Sequence, residues 1–495
     1  MTNRSGVAAT TDRRLSLTAQ EKSAAEKLEA ERSSLERRPK QARLALFEKA
    51  FSAFAWLFFS NGVGTILNDS ETLLRPLRYG IFLMAVLLLA ARWRGTLRAI
   101  SKGWLLWVVV GLMVLSLGWS RSPVYTLESI RGEVFPMTAF ALYFSSRFNL
   151  REQMQVLAIA LGLGAFLSLF YAIAIPSVGR HIGDKFDGAW KGIYSQKNNF
   201  STTMTLTMIL FFALGIVNIP GLDRTLARFG LLFAIFMIIL STSKSGLLIF
   251  VAMMFIMLLT RLFRWRGRRS VLVLDLSGLA FLAAVTGVIA NWEPLVDSLG
   301  KDPTLSARTY IWSGTIEQIM KQPWLGYGRS AFWVPDSRSA LEVGLKADSK
   351  GFIPSHAHNG FLDIAIEIGL IGFGFFMLGL LLTYLIAIRR AYKAKVPEDI
   401  WPFAFLTLMV MSNMTESILM YRVTLYWVLY MVMFLSIRLW PPRELQRAGA
   451  RTGSASLHAL VDSSGDSLGA GTLLPASTSK GSSEKMHPHL KKSAQ

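Results

Sequence analysis

In this 495-residue sequence, the side chains best placed to do chemistry fall between Arg308 and Gly372. The run Pro354-Ser355-His356-Ala357-His358-Asn359-Gly360 precedes a long apolar stretch. Asn359 is suited to cap a helix there, because its side-chain oxygen accepts from exposed backbone N–H groups. His358 then sits at the mouth of that helix, where a neutral imidazole is favoured and a general base is well placed. The pair His356/His358 is also open to metal ligation, and an interfacial histidine with no chemical role is a third reading. Upstream, Arg308 falls in the first turn of a helix predicted from Ser306 to Met320 and ended by Pro323. Exposed N–H groups and the helix dipole favour an anion there, and a guanidinium grips phosphate with a planar fork. Spacing alone leaves Arg308 open between that role and a solvated surface arginine. Trp312, Ile316, Ile319 and Met320 recur at helical spacing and predict an apolar face against the membrane surface or the span bundle. Trp312 and the neighbouring aromatic residues either stack on sugar faces or form an interfacial belt.

Further cations lie on other segments. Lys244 sits in the tight turn Ser241-Thr242-Ser243-Lys244-Ser245-Gly246, and Lys197 with Asn198 closes a loop over about 177–198. Asp363 and Glu367, four residues apart, share one helix face, and Glu416 lies near the end of another apolar run. Ionisable groups within or beside membrane spans are costly and often functional.

The elements that must position these groups are membrane helices. Of the residues, 52% are hydrophobic and only 17% charged, below the quarter expected of a soluble chain, and the apolar excess comes in long runs. A bilayer core about 30 Å thick requires roughly 20 helical residues per span, since the backbone must satisfy its own hydrogen bonds there. About twelve candidates follow, over roughly 51–67, 79–91, 103–119, 131–145, 153–176, 199–218, 229–243, 245–262, 271–290, 359–388, 401–420 and 423–439. The fold class predicted is all-α, a polytopic membrane protein with a large outward loop, about 291–357, between the ninth and tenth spans.

Alternate connections are basic, for example Arg92, Arg94, Arg98 and Lys102, then Arg147 and Arg151, then Arg389, Arg390 and Lys393. By the positive-inside rule these face the cytoplasm, as do both basic tails, and the intervening loops face outward. Residues 1–50 form the N-terminal tail and hold no apolar signal core, so no cleaved leader is expected. Beyond 440 the chain is rich in Ser, Gly, Thr and Ala, and 441–495 reads as a disordered cytoplasmic tail. A net charge of +21 would suggest nucleic acid in a soluble chain. In a membrane chain it fits anchoring against anionic lipid, so membrane lipid is the expected partner and nucleic acid is not.

Several chemistries are excluded. The absence of cysteine removes disulfides, thiolate nucleophiles and cysteine metal sites. There is no Walker phosphate loop, no D-x-D and no H-E-x-x-H, which argues against ATP-driven transport, a metal-bound nucleotide-sugar donor and a zinc protease. Gly326-Tyr327-Gly328-Arg329-Ser330-Ala331 fits a dinucleotide pattern in form but lacks a preceding strand, and reads as a tight turn.

Together these residues resemble the O-antigen ligase and Wzy-type polymerase superfamily. His358-Asn359, nine residues, Gly369, two residues and Gly372 match its H-[NSQ]-x9-G-x2-G signature. Ala307 to Trp312 is similar to its arginine–tryptophan segment, and Pro323 to Gly328 to its P-x-x-G-x-G turn. Lys197-Asn198 and the Ser241–Gly246 turn also have counterparts, and the likeness runs over about 51–440. The resemblance implies a metal-independent, inverting glycosyl transfer with no cofactor, from glycans carried on undecaprenyl pyrophosphate at the outer face of the bacterial inner membrane. It implies His358 as base and Arg308 as holder of the departing pyrophosphate. Lys244, Lys197, Asn198, Asn359 and Trp312 would line the substrate. Lys244 stands where many members carry a second arginine, keeping the charge but losing the forked grip. The Ser-Thr-Ser-Lys-Ser turn looks closest to ExoQ-type exopolysaccharide polymerases, whose partners would include chain-length and export proteins. A ligase placing O-antigen on lipid A–core is the alternative within the superfamily. A lipid-linked oligosaccharide flippase is the alternative outside it, and would be expected to carry paired ionisable groups in mid-span.

Overall fold

The computed structural model describes residues 39, 41–183, 186–215, 224–262, 308–347, 352–394, 396–420 and 423–440. All belong to one unit, Met1–Trp440, and the predicted C-terminal tail lies outside the described residues. So do most of the predicted N-terminal tail, the ninth apolar segment (271–290), Ser306 and the first part of the outward loop.

Among the described residues the fold is helical, with no strand beyond one isolated bridge between Arg180 and Trp190. Helix α1 covers 41–59 and so crosses the boundary expected at residue 50. It is followed by α2 (Glu71–Ala91), α3 (Trp93–Ser101), α4 (Trp104–Leu115) and α5 (Phe135–Arg147). Next come α6 (Leu150–Ala174), α7 (Lys197–Gly215), α8 (Arg224–Leu240) and α9 (Lys244–Leu262). In the segment predicted as an outward loop lie α10 (Arg308–Lys321) and α11 (Arg338–Ala347), and the chain then runs through α12 (Gly360–Tyr392), α13 (Trp401–Asn413) and α14 (Leu425–Leu439).

Apart from α3, α10 and α11, these helices overlap predicted apolar segments with shifted bounds, and three of them (α2, α6 and α12) are both long and apolar enough to cross a membrane unaided. A fourth span is possible if α3 and α4, bent by 90° at their junction, are taken together. Helix α3 exposes Trp93, Leu97 and Ile100 and buries Ala99, the pattern of a helix lying along an interface.

Helices α7 and α14 sit at the centre, buried nearly all round. Three of the four threonines of α7 tolerate this because the hydroxyl donates to a carbonyl four residues back: Thr203 to Asn199, Thr205 to Ser201 and Thr207 to Thr203. Helix α6 begins with a capping box, Asn149 accepting from Glu152 N while the Glu152 carboxylate accepts from Asn149 N. At the end of the bundle opposite the histidines, fully buried Glu48 is clamped by Arg92 and Arg147, both at 2.7 Å, tying α1 to the α2–α3 junction and to α5.

The amphipathic helix expected over Ser306–Met320 is α10, but its buried face differs. Ile311, Thr315, Gln318 and Ile319 are buried, whereas Ile316 and Met320 are exposed. The helix turns this neighbouring face inward because α11 and α12 pack there.

One distortion shapes the outer half of the bundle. Inside α12, Gly369 has φ 68° and ψ 178°, a conformation essentially reserved for glycine. The turn Pro323–Gly328 enters the resulting break. Leu370 N donates to Pro323 O at 2.7 Å, while Tyr327 N and Gly328 N donate to the freed carbonyls of Ile366 and Glu367 at 2.9 Å each. The two spaced glycines of this turn therefore serve packing, in agreement with the tight-turn reading: a Cβ on Gly326 would meet Gly369 N and Ile366 O.

Gly369→Ala is expected to lower stability by about 1–3 kcal/mol from the backbone alone, with added overlap between the new methyl and Trp324 O. Gly374→Ala, with open space in the same helix, should leave stability unchanged or slightly raised. Thermal unfolding of the solubilised protein compares the two, and equal melting points would remove the structural role given to Gly369.

Candidate active site

Four segments converge where α12 begins. Asn359 caps α12, its side-chain oxygen accepting from Phe361 N at 3.1 Å. A Cβ on Gly360 would collide with the Asn413 amide, so this glycine lets the mouth of α12 approach the end of α13. His358 takes φ 52°, a left-handed conformation uncommon outside glycine. Its N–H donates to His356 Nδ1 at 3.1 Å, and the two rings stand 4.2 Å apart.

Helix α13 ends at Asn413, short of the predicted 420, and Glu416 lies in the turn that follows. Its buried carboxylate is the hub of the site. One oxygen accepts from Arg308 Nη2 at 2.6 Å and from the Asn198 amide at 2.8 Å; the other faces His358 Nδ1 at 3.1 Å. Arg308 also donates through Nη1 to Thr415 O at 2.6 Å. Asn198 is oriented in turn by Ser243, whose hydroxyl donates to the Asn198 side-chain oxygen at 2.7 Å and accepts from Gly246 N. The turn carrying Lys244 thus reaches the carboxylate through Ser243 and Asn198.

The electrostatics follow from this contact set. Burial alone would push the Glu416 carboxyl up, but the His358 hydrogen bond and the Arg308 charge override it and hold it at about 2. A carboxylate only accepts, so His358 donates through Nδ1; in the neutral imidazole Nε2 then carries the lone pair, and Nε2 has no hydrogen-bond partner among the described residues. Burial, with the neighbouring His358 ring, pushes His356 down to about 3, so it stays neutral.

The sequence-predicted residues are distributed as follows. His358, Arg308 and Asn198 meet at Glu416. Trp312 does not stack in the open: its Nε1 donates to Ala357 O at 2.9 Å and steadies the backbone between the two histidines. Lys244 is exposed at the start of α9. Lys197 points its ammonium over the Phe186 ring at 4.3 Å, while its backbone N–H donates to His181 Nε2. Glu416 itself carries no motif; its sole signal in the sequence is a carboxylate near the end of an apolar segment.

Two further networks fix the mouth of α12. Asp363 accepts from Trp333 Nε1 at 2.8 Å and Ala357 N at 3.1 Å, and also from the Ser417 hydroxyl, so it ties down both the histidine loop and the residue after Glu416. Arg329, 1% exposed, bridges Glu367 at 2.6 Å and Glu133 at 2.9 Å, the latter on a π-helical turn (Ile130–Val134) ahead of α5. The face shared by Asp363 and Glu367 is therefore the face that receives the outward loop.

His356, His358 and Glu416 bring three ligand-type atoms within 4.8 Å of one another, close enough to hold a metal ion. Both Glu416 oxygens are already engaged, however, and the Arg308 guanidinium balances its charge. A divalent cation there would face that guanidinium, so the donor set fits a resident metal poorly.

Below about pH 6.5 the unfolded chain takes a proton at His356 that the folded chain refuses until about 3, so stability falls on acidification between those values. Glu416 adds a slope of the same sign at lower pH, where its folded value of about 2 lies below its ordinary 4.5. His356→Gln is expected to flatten the upper slope in melting measurements between about pH 7 and about pH 5; an unchanged slope would mean that His356 titrates in the folded protein.

A family model described as O-antigen ligase matches residues 229–377, a stretch that holds Lys244, Arg308, Trp312, His358 and Asn359 but neither Asn198 nor Glu416. The chain is 29% identical over 221 residues to the exopolysaccharide production protein ExoQ of Rhizobium meliloti (strain 1021), covering 42% of this chain and 49% of that protein. It is 27% identical over 79 residues to a protein named as a polysaccharide ligase from Rickettsia prowazekii (strain Madrid E), covering 16% and 20% respectively. The chain thus spans about half or less of the curated relatives it matches. Over residues 229–377 and the stretches shared with these relatives, the chain is thus similar to the O-antigen ligase and Wzy-type polymerase superfamily.

Proposed function

We propose that the chain polymerises saccharide repeat units carried on undecaprenyl pyrophosphate, at the periplasmic face of the inner membrane, by metal-independent inverting glycosyl transfer. The observation that carries this reading is the Glu416-bound Nδ1 of His358, which leaves Nε2 as the proton acceptor. The acceptor hydroxyl oxygen attacks the anomeric carbon from the face opposite the pyrophosphate as Nε2 takes its proton. The bond from that carbon to the phosphate oxygen breaks, and its electron pair leaves with the pyrophosphate. The proton passes to solvent before the next cycle.

Glu416 stabilises the imidazolium formed in this step, as a carboxylate does behind any histidine base. Arg308 keeps N–H groups beyond those used on Thr415 and Glu416, and these meet the developing charge on the leaving group. Lys244, exposed on the turn joined to the site through Ser243, adds a second cation. The donor supplies its own leaving group, so no nucleotide is needed, in keeping with the missing phosphate loop. The exopolysaccharide relative matches over a longer stretch than the ligase relative, which favours polymerase over ligase.

His358→Ala should reduce transfer by about 10²–10⁴-fold while the protein accumulates normally. Arg308→Ala should impair transfer more than Arg338→Ala in the same loop. Normal product from the histidine variant would remove base catalysis, and equal loss from the two arginine variants would remove the phosphate contact. The lipid-linked glycans of a deletion strain test the reaction itself. Accumulated single repeats support the polymerase, whereas polymer on the carrier beside unmodified core means a ligase. Repeats trapped on the inner leaflet mean a flippase.

A further inference from the structure

The end of α12 remote from His358 borders a second cavity, of about 340 Å³, that the transfer reaction does not use. Three cations line it: Lys102 from the α3–α4 elbow, Arg389 from α12 and Arg438 from α14. No acidic residue lines it, and among the described residues neither Lys102 nor Arg389 forms an ion pair. Arg438 is oriented rather than neutralised: its guanidinium lies 3.8 Å over the Phe434 ring and donates to Thr383 Oγ1 at 3.2 Å. The remaining wall is apolar, including Leu385, which is 41% exposed, and Trp104, which is 62% exposed.

A cleft lined by three cations and otherwise by apolar side chains, two of them well exposed, suits an amphiphile rather than a soluble ion. It needs an anionic head for the cations and hydrocarbon for the exposed wall. Its position agrees. Gly360 and Arg389 are separated by on the order of 40 Å of helix, so the cleft lies about one bilayer away from His358. Helix α3, which ends at this cleft, has the pattern of a helix lying along an interface.

We propose that this cleft binds an anionic phospholipid, phosphate against Lys102, Arg389 and Arg438 and acyl chain along Trp104 and Leu385. The bound lipid clamps the α3–α4 elbow to the ends of α12 and α14. The shared chemistry is a phosphate anion, and the test separates a lipid from free phosphate. The full chain, purified in detergent, is exposed to phosphatidylglycerol, phosphatidylcholine or inorganic phosphate. Lipid retained is read by native mass spectrometry and stability by melting temperature.

The expected result is selective retention of phosphatidylglycerol, with a rise of a few degrees in melting temperature. K102Q/R389Q should lose this several-fold, and K102R/R389K should keep it. R98Q/K393Q, which removes the same charge outside the cleft, should behave as the unmodified protein. Equal retention of the two lipids, or an equal loss in both charge-removed variants, would overturn the assignment. So would protection by inorganic phosphate with no further gain from phosphatidylglycerol. Because the readout is lipid retention, failure here would leave the glycosyl-transfer reading standing.

Discussion

The half of this protein that carries the two histidines is organised around one buried carboxylate. Glu416 would be expensive to remove from water alone, since an unpaired ion in a low-dielectric interior costs several kcal/mol at least. It is stable there because Arg308, Asn198 and His358 each bring a donor to it. Those donors come from the first turns of α10 and α7 and from the mouth of α12. Removing the carboxylate would leave a half-buried guanidinium without its counter-charge and an imidazole without its tautomer lock. Assembly of the site and fixing of its protonation state are thus one event.

Around that contact the chain builds a rigid support. Asp363 holds the backbone between the histidines and the residue next to Glu416, so imidazole and carboxylate are referred to the same helical turn. One turn further along, Glu367 meets Arg329 and secures the outward loop to α12, with Glu133 extending the tie towards α5. The break at Gly369 frees the carbonyls that receive the Pro323–Gly328 turn. A signature that looks in sequence like a string of spaced glycines is, in three dimensions, the seam between two segments.

The two ends of α12 face different tasks. At one end the ionisable groups are mutually paired, buried and held in fixed geometry. At the other, beside the buried Arg390–Asp399 pair, Lys102, Arg389 and Arg438 line a cleft with apolar walls and, among the described residues, no acidic lining residue. A single helix therefore connects a site suited to stabilising transient negative charge with a surface suited to holding a permanent negative charge.

Much of this was legible in the residues themselves. Apolar runs imply helices and Asn359 announces a cap; Arg308 and His358 are candidates by type and setting, and the family resemblance adds Asn198. These are local signals, set by neighbours within one or two turns. In the sequence Glu416 is only a carboxylate near the end of an apolar run; its part as hub was not legible, because its partners lie 58, 108 and 218 residues away. The inward face of α10 escaped for a related reason: Ile316 and Met320 are as apolar as Ile311 and Ile319, and which pair is buried depends on where α11 and α12 pack. The role of Trp312 changed likewise, from an open ring to a backbone tether. Sequence alone determined which segments become helices and which residues have useful chemistry, since both depend on short-range sterics and side-chain type. Tertiary structure alone decided which of those residues meet, because a buried charge is stable only where distant segments bring its partners to it.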